Sequence, residues 1–188
     1  MLVKASLWAS MVSGAAMIVV HLLTFLPEPP RVSHLAVFPF IILLFPSFAL
    51  SVRLVKEGNK DMDPRHFWKR AFESAPSWVG PGILVLLAYT GFNFFFSLLA
   101  LNEGLSPAEV DGQFVLQNHG RVVRNLTEAE YLQHKGYELR GMSTHIVFFH
   151  AVSAAILWAE LRRRASSSHE PAPPSDRRKG TSAGACAK

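Results

Sequence analysis

Apolar residues dominate four stretches of the chain, each long enough, near ~20 residues, to cross a bilayer as a helix. The first is Ala5 to Leu26, which Pro27-Glu28-Pro29-Pro30 ends. The second runs from about His34 to Val52, with Pro39 and Pro46 inside it. Membrane helices tolerate such prolines when neighbours re-satisfy the freed carbonyls. The third is Trp78 to Leu101, and the fourth runs from about Met142 to Ala159, ending against Glu160 and Arg162-Arg163-Arg164. The first stretch exceeds the apolar core of a secretion signal and is followed by proline rather than a small-residue cleavage site, so it reads as an uncleaved helix.

The segments between the spans carry local signals of their own. Asp63-Pro64 reads as the N-cap and first residue of a helix through Phe72. Phe67, Trp68, Ala71 and Phe72 share one face of it, so it either lies in the membrane surface or packs on the ends of the spans. In the 102–141 segment, Ser106-Pro107-Ala108-Glu109 is a capping box that predicts a short helical turn. Gln113 to Gln117 and Arg121 to Arg124 flank Asn118-His119-Gly120 and predict a hairpin. Thr127-Glu128-Ala129-Glu130 is a second capping box, with Leu126 and Tyr131 at the staple positions. It starts a helix that reaches about Arg140 and can run on into the fourth span. Residues 163–188 are rich in Ser, Pro, Ala, Gly and charge and predict a disordered basic tail.

Charge sets an orientation. The chain has 19 Lys and Arg against 14 Asp and Glu, a net charge of +5. Fourteen of the basic residues lie at Lys4, between Arg53 and Arg70, and from Arg162 onward; five lie at Arg31 and between Arg121 and Arg140. The positive-inside rule then predicts a multi-pass inner-membrane protein with both termini cytoplasmic. The basic balance is explained by anionic headgroups and calls for no nucleic acid. The expected fold is an all-α membrane protein. Residues 1–162 form a four-helix transmembrane bundle with a small extracytoplasmic hairpin-plus-helix insert. This composition excludes a soluble enzyme fold. The lone Cys186 excludes an intrachain disulfide and a Cys-based zinc or iron–sulfur site.

The stretch Phe114 to Gly120, then Leu126 to Tyr131, then Gly141 and His145, resembles a pattern in small uncharacterised bacterial inner-membrane proteins. The likeness covers roughly the last third of the ordered chain. It implies a bacterial membrane protein and carries no functional residue across.

Candidate chemistry lies in the polar residues of the spans. No Asp, Glu, Lys or Arg sits deep in any of them, which weighs against a proton pump or charged-ion path. At 1.5 Å per residue, His21 and His145 both fall about 9 Å outside the midplane, and His34 begins the second span. Imidazoles at equal depth on facing helices are what bis-His haem and bundle metal sites use. One reading therefore gives His21 and His145 to a haem and His34 to a metal, in a redox or transport component. The plainer reading makes them interfacial histidines, with His150 a hydrogen-bonded packing residue, because no HExxH or His-x-x-x-His pair supports a site. Tyr89, Asn93 and Ser97 form one polar stripe, read as interhelical hydrogen bonding or as a narrow polar path. Ser6, Ser10 and Gly14, with Ala151, Ala155 and Ala159, predict close packing of the first helix on the fourth, or of two copies. There is no P-loop, dinucleotide glycine pattern or nucleophile elbow. The expected function is accordingly non-enzymatic: an accessory or interaction protein that meets the lipid bilayer and either another membrane protein or itself. The Asn118-His119-Gly120 turn is its candidate contact site.

Overall fold

A computed structural model describes residues 1–27, 29, 34–57, 63 and 66–167. The chain is mostly helical, and four helices are long and apolar enough to cross a membrane. These are α1 (Leu2–Leu23), α2 (His34–Glu57), α4 (Val79–Phe95) and α5 (Glu128–Ser167). A short α3 (Phe67–Ala71) lies between α2 and α4, and a π-helical segment, Phe96–Leu101, continues α4. Three strands, β1 (Ser106–Val110), β2 (Gln113–Asn118) and β3 (Arg121–Asn125), precede α5.

The capping box at Thr127 forms as the sequence predicts. Glu130 Oε2 accepts from the Thr127 N–H at 2.7 Å, and the Glu130 N–H donates to Thr127 Oγ1 at 3.3 Å. The helix it starts does not stop at Arg140. It runs for 40 residues, about 60 Å, through the fourth span and past Arg164. Residues 163–167 are therefore helix, where the sequence predicts the start of the tail. Glu160 holds this end: its two carboxylate oxygens each accept at 2.6 Å, from Arg163 and from Arg164. The rest of the predicted tail, with Cys186, lies outside the described residues.

α5 is the spine of the molecule. Half of its apolar window is buried, against 17–22% for the other three long helices. α1, α2 and α4 each pack along it, and α1 also packs on α2. Among the described residues α4 makes no extended contact with α1 or α2. The bundle is thus three helices laid around a fourth rather than a four-cornered square. The small residues explain the α1–α5 pairing: Ser10 and Ser13 are buried, and a Cβ placed on Gly14 would sit 3.3 Å from the His150 Cβ. Outward faces stay apolar, with Trp8, Val12, Phe45, Leu84, Val85 and Phe92 all well exposed. At the tail end Phe67 and Phe72 pack beside a cluster of Val55, Phe148, Val152 and Ile156. α3 therefore rests on the span ends, with Trp68 turned out. His66 occupies its N-cap position, and Pro64 lies outside the described residues.

The predicted helical turn at Ser106-Pro107-Ala108-Glu109 is instead the edge strand β1. It pairs antiparallel with β2, Pro107 opposite Leu116 and Val110 opposite Gln113. The turn between them, Asp111-Gly112, has positive φ at both residues (50° and 75°). That is the backbone of a two-residue hairpin turn, which Asp-Gly favours. Ladder bonds and the burial of Leu116 outweigh the local capping preference, and proline is tolerated at a sheet edge. The second turn, His119-Gly120, is of the same kind (φ 47° and 86°), so the predicted hairpin is present within a three-stranded sheet ordered β1-β2-β3. Val115, Leu116 and Leu126 form the buried apolar residues of this unit, and Phe114 stacks on Tyr131 at 4.6 Å. The sheet rests on α5.

Candidate functional site at the sheet end of the bundle

Where α1 ends beside the middle of α5, polar side chains form a directed hydrogen-bond chain. The Ser143 hydroxyl donates to the Arg140 carbonyl at 3.1 Å, one turn back on α5. Its oxygen is then left to accept, and His21 Nδ1 lies 3.0 Å away, so Nδ1 carries the proton. His21 Nε2 must accept, and the Tyr89 hydroxyl donates to it at 2.7 Å. The chain runs Tyr89 to His21 to Ser143 to the Arg140 carbonyl, with His21 neutral and both ring nitrogens used. Asn93 Nδ2 donates to the same carbonyl at 3.0 Å. The Arg140 side chain turns the other way. Its guanidinium donates to the Thr24 carbonyl and lies 4.0 Å above the Phe25 ring. A cation at the carbonyls that end α1 is favourably placed.

Closer to the sheet, Asn102 ends the π-helical segment and is almost fully buried. Its side-chain oxygen accepts from His134 Nδ1 at 2.8 Å. His134 Nε2 then accepts from Arg124 Nη2 at 3.4 Å, which ties β3 to α5. Burial, and after it the Arg124 guanidinium, hold the His134 imidazole below its ordinary value, against Glu103, Glu130 and Glu138, which pull the other way.

A cavity of about 560 Å³ opens on the opposite side of α5, between α2 and α4. Ile41, Leu44, Phe94, Met142, Ile146 and Phe149 give it apolar walls. Its polar lining is Ser97, Asn102, Ser106, Tyr137, Glu138 and His145, and no lysine or arginine lines it. His145 Nδ1 donates to the Gly141 carbonyl at 2.9 Å, and its ring meets Phe94 edge-on at 5.0 Å. Ser97 is buried and its hydroxyl has no hydrogen-bond partner.

The sequence-predicted residues are thus distributed over separate places. His21 and His145 are not brought together: His21 meets α5 at Ser143, whereas His145, two residues on, lines the cavity on another face. To ligate a metal or haem, His21 would have to give up one of its two bonds. The His34 side chain lies outside the described residues. Among the described residues no group of three or more His, Cys, Asp or Glu is close enough to hold a metal ion. Asn118, His119 and Gly120 form the exposed β2–β3 turn. The Tyr89-Asn93-Ser97 stripe splits. Tyr89 and Asn93 make the interhelical bonds that the plainer reading expects, and Ser97 lines the cavity with its hydroxyl unpartnered among the described residues. His150 is fully buried and donates through Nε2 to the Phe40 carbonyl at 3.1 Å. From sequence alone Arg140 is only an outer charge and Asn102 has no evident role. Their one signal was position, a basic and an amide residue at the ends of apolar spans. No protein-family model, curated protein or solved structure matches the chain.

Proposed function

We propose that this protein is a non-enzymatic accessory or interaction protein of a bacterial inner membrane, with both termini cytoplasmic and the sheet outside as its recognition surface. The observation that carries this reading is the way the sheet is mounted. One uninterrupted helix, α5, runs from the sheet through the centre of the bundle. The β3 strand at the sheet's edge is exposed along its whole length, and Val122 and Val123 are 46% and 54% exposed. An open strand edge is a template for pairing with another chain. A rigid mount keeps the ordering cost of such pairing low.

Two experiments test the reading. Cys186 is the only cysteine, so an impermeant maleimide applied to intact spheroplasts should leave the native chain unlabelled until the membrane is opened. A Cys186→Ser, His119→Cys chain should label at once; the reverse pattern refutes the orientation. Crosslinking in native membranes should then yield an adduct that the Val122→Glu, Val123→Glu chain loses. An adduct that survives this change and removal of 113–124 refutes the sheet as the recognition surface.

A further inference from the structure

We infer that the cavity between α2 and α4 binds a neutral membrane amphiphile whose head carries a hydroxyl donor beside an oxygen acceptor, on a hydrocarbon body. The volume, about 560 Å³, lies in the range of small-molecule sites. From Glu138 to Phe149 its α5 wall spans about 16 Å, from the sheet end to the middle of the apolar stretch. α2 and α4 make no extended contact, so the cavity is open sideways to the bilayer and a lipid can enter without crossing water.

The walls state the head-group chemistry. His145 donates its Nδ1 proton to the Gly141 carbonyl, which makes Nε2 an acceptor, and Nε2 has no partner among the described residues. Ser97 is 2% exposed and lines the same cavity, and its enclosed hydroxyl has no hydrogen-bond partner among the described residues. A buried hydroxyl without a partner is costly in an apolar setting and points to a group supplied from elsewhere. Ser97 stands in a π-helical segment, an irregularity often found where helices carry function. Gly141 brings the two walls together: a Cβ there would lie 3.6 Å from the Ser97 Cβ and 3.7 Å from the Phe94 ring. A ligand hydroxyl donates to His145 while a ligand oxygen accepts from Ser97. No lysine or arginine lines the cavity, and the Glu138 carboxylate in its lining is already paired with Lys135 at 2.9 Å, so the lining offers an anionic head no cation. Diacylglycerols and hydroquinone-headed isoprenoids share the required chemistry.

The test is photolabelling of the full chain in phosphatidylcholine nanodiscs with a diazirine-tailed diacylglycerol. The comparison probes are its O-acetylated analogue and the matching phosphatidic acid. The diacylglycerol should label peptides holding Phe94 to Leu98 and Met142 to Phe149 at least several-fold more than either comparison probe. Labelling should fall several-fold in Ser97→Ala and His145→Phe, and be lost in Gly141→Leu. Tyr89→Phe, on the other side of α5, should label as the native chain does, and thermal unfolding checks that each variant is folded. If the fill-in variant fails to fold, Ser97→Ala and His145→Phe still decide. A decyl hydroquinone that removes the label at concentrations where unlabelled diacylglycerol does not assigns the site to the quinol source, and the converse to the glycerolipid. Equal labelling by the hydroxyl and acetylated probes, or labelling indifferent to Ser97 and His145, overturns the proposal.

Discussion

The hydrogen-bond chain through His21 makes a quantitative prediction about Tyr89. Tyr89→Phe keeps the ring that meets His21 edge-on at 5.8 Å and removes only the hydroxyl that donates to Nε2 at 2.7 Å. No cavity of consequence is created, so the cost is one interhelical hydrogen bond plus an acceptor left unpaired. Bonds between membrane helices average about 0.6 kcal/mol with a maximum near 1.7. An unpaired buried acceptor raises the figure, and we expect about 1 kcal/mol. His21→Phe keeps the aromatic contact with Phe25 but cannot accept from Tyr89 or donate to Ser143. Ser143 is not stranded, because its own proton still goes to the Arg140 carbonyl. In that background Tyr89→Phe has nothing left to remove and should cost about 0 kcal/mol. The assay is reversible unfolding of the four chains in mixed micelles of rising sodium dodecyl sulfate fraction, giving a coupling energy of about 1 kcal/mol. Nitrogen-15 shifts of the His21 ring, read in parallel, should report the Nδ1–H tautomer. A Tyr89→Phe cost that is the same in both backgrounds, or an Nε2–H tautomer, refutes the proposed direction of the chain.

Three further outcomes follow from packing, backbone and charge. A Cβ on Gly136 would lie 2.9 Å from the rigid Pro29 ring, whereas one on Gly80 meets nothing within 4 Å. In the same unfolding assay Gly136→Ala should therefore destabilise by about 1–3 kcal/mol, and Gly80→Ala should be neutral or gain up to about 1. His119 holds φ at 47° in its turn, so His119→Asn should leave the sheet intact while His119→Val costs about 1–2 kcal/mol. Near-ultraviolet circular dichroism separates the two, and the Asn variant tests a contact role for His119 without unfolding the turn. His134 has its native value held below the unfolded one, so the unfolded chain takes up the proton first as pH falls. The stability linked to this histidine is thus complete above the unfolded value, near ~6.5, and is lost as pH drops through the lower native value. Unfolding at pH 7.5 and 5.5 should show that loss, and His134→Gln should reduce it.

The parts of this fold that were legible from sequence are those encoded along the chain axis. Four apolar runs near twenty residues become four helices, because only a helix or closed barrel satisfies backbone groups in hydrocarbon. Thr127 and Glu130 cap α5 because the motif is complete within four residues. Ser106 to Glu109 carries an equally complete capping motif and fails, because its outcome is decided across Asp111-Gly112 by pairing with β2. The Asp111-Gly112 pair is the readable sign of that strand, and the capping box upstream of it masks it.

Spacing along a helix is legible in sequence and rotation about its axis is not, and rotation is what makes a site. Spacing put His21 and His145 at one level, and that inference stands on rise per residue alone. Whether two such side chains meet depends on how α1 and α4 turn about α5, which is set by contacts such as Gly14 against His150 and Asn93 against the Arg140 carbonyl. A small difference in that turn would send Ser143 away from His21 and leave the His21 Nδ1–H without its acceptor. The polar stripe on α4 shows the same thing within one helix. Tyr89, Asn93 and Ser97 repeat every four residues and look equivalent. Yet the switch to π geometry at Phe96 gives Ser97 a different neighbourhood from the two residues before it. Its enclosed, unpartnered hydroxyl, beside a cavity between α2 and α4, is a property of the assembled helices that no single segment encodes.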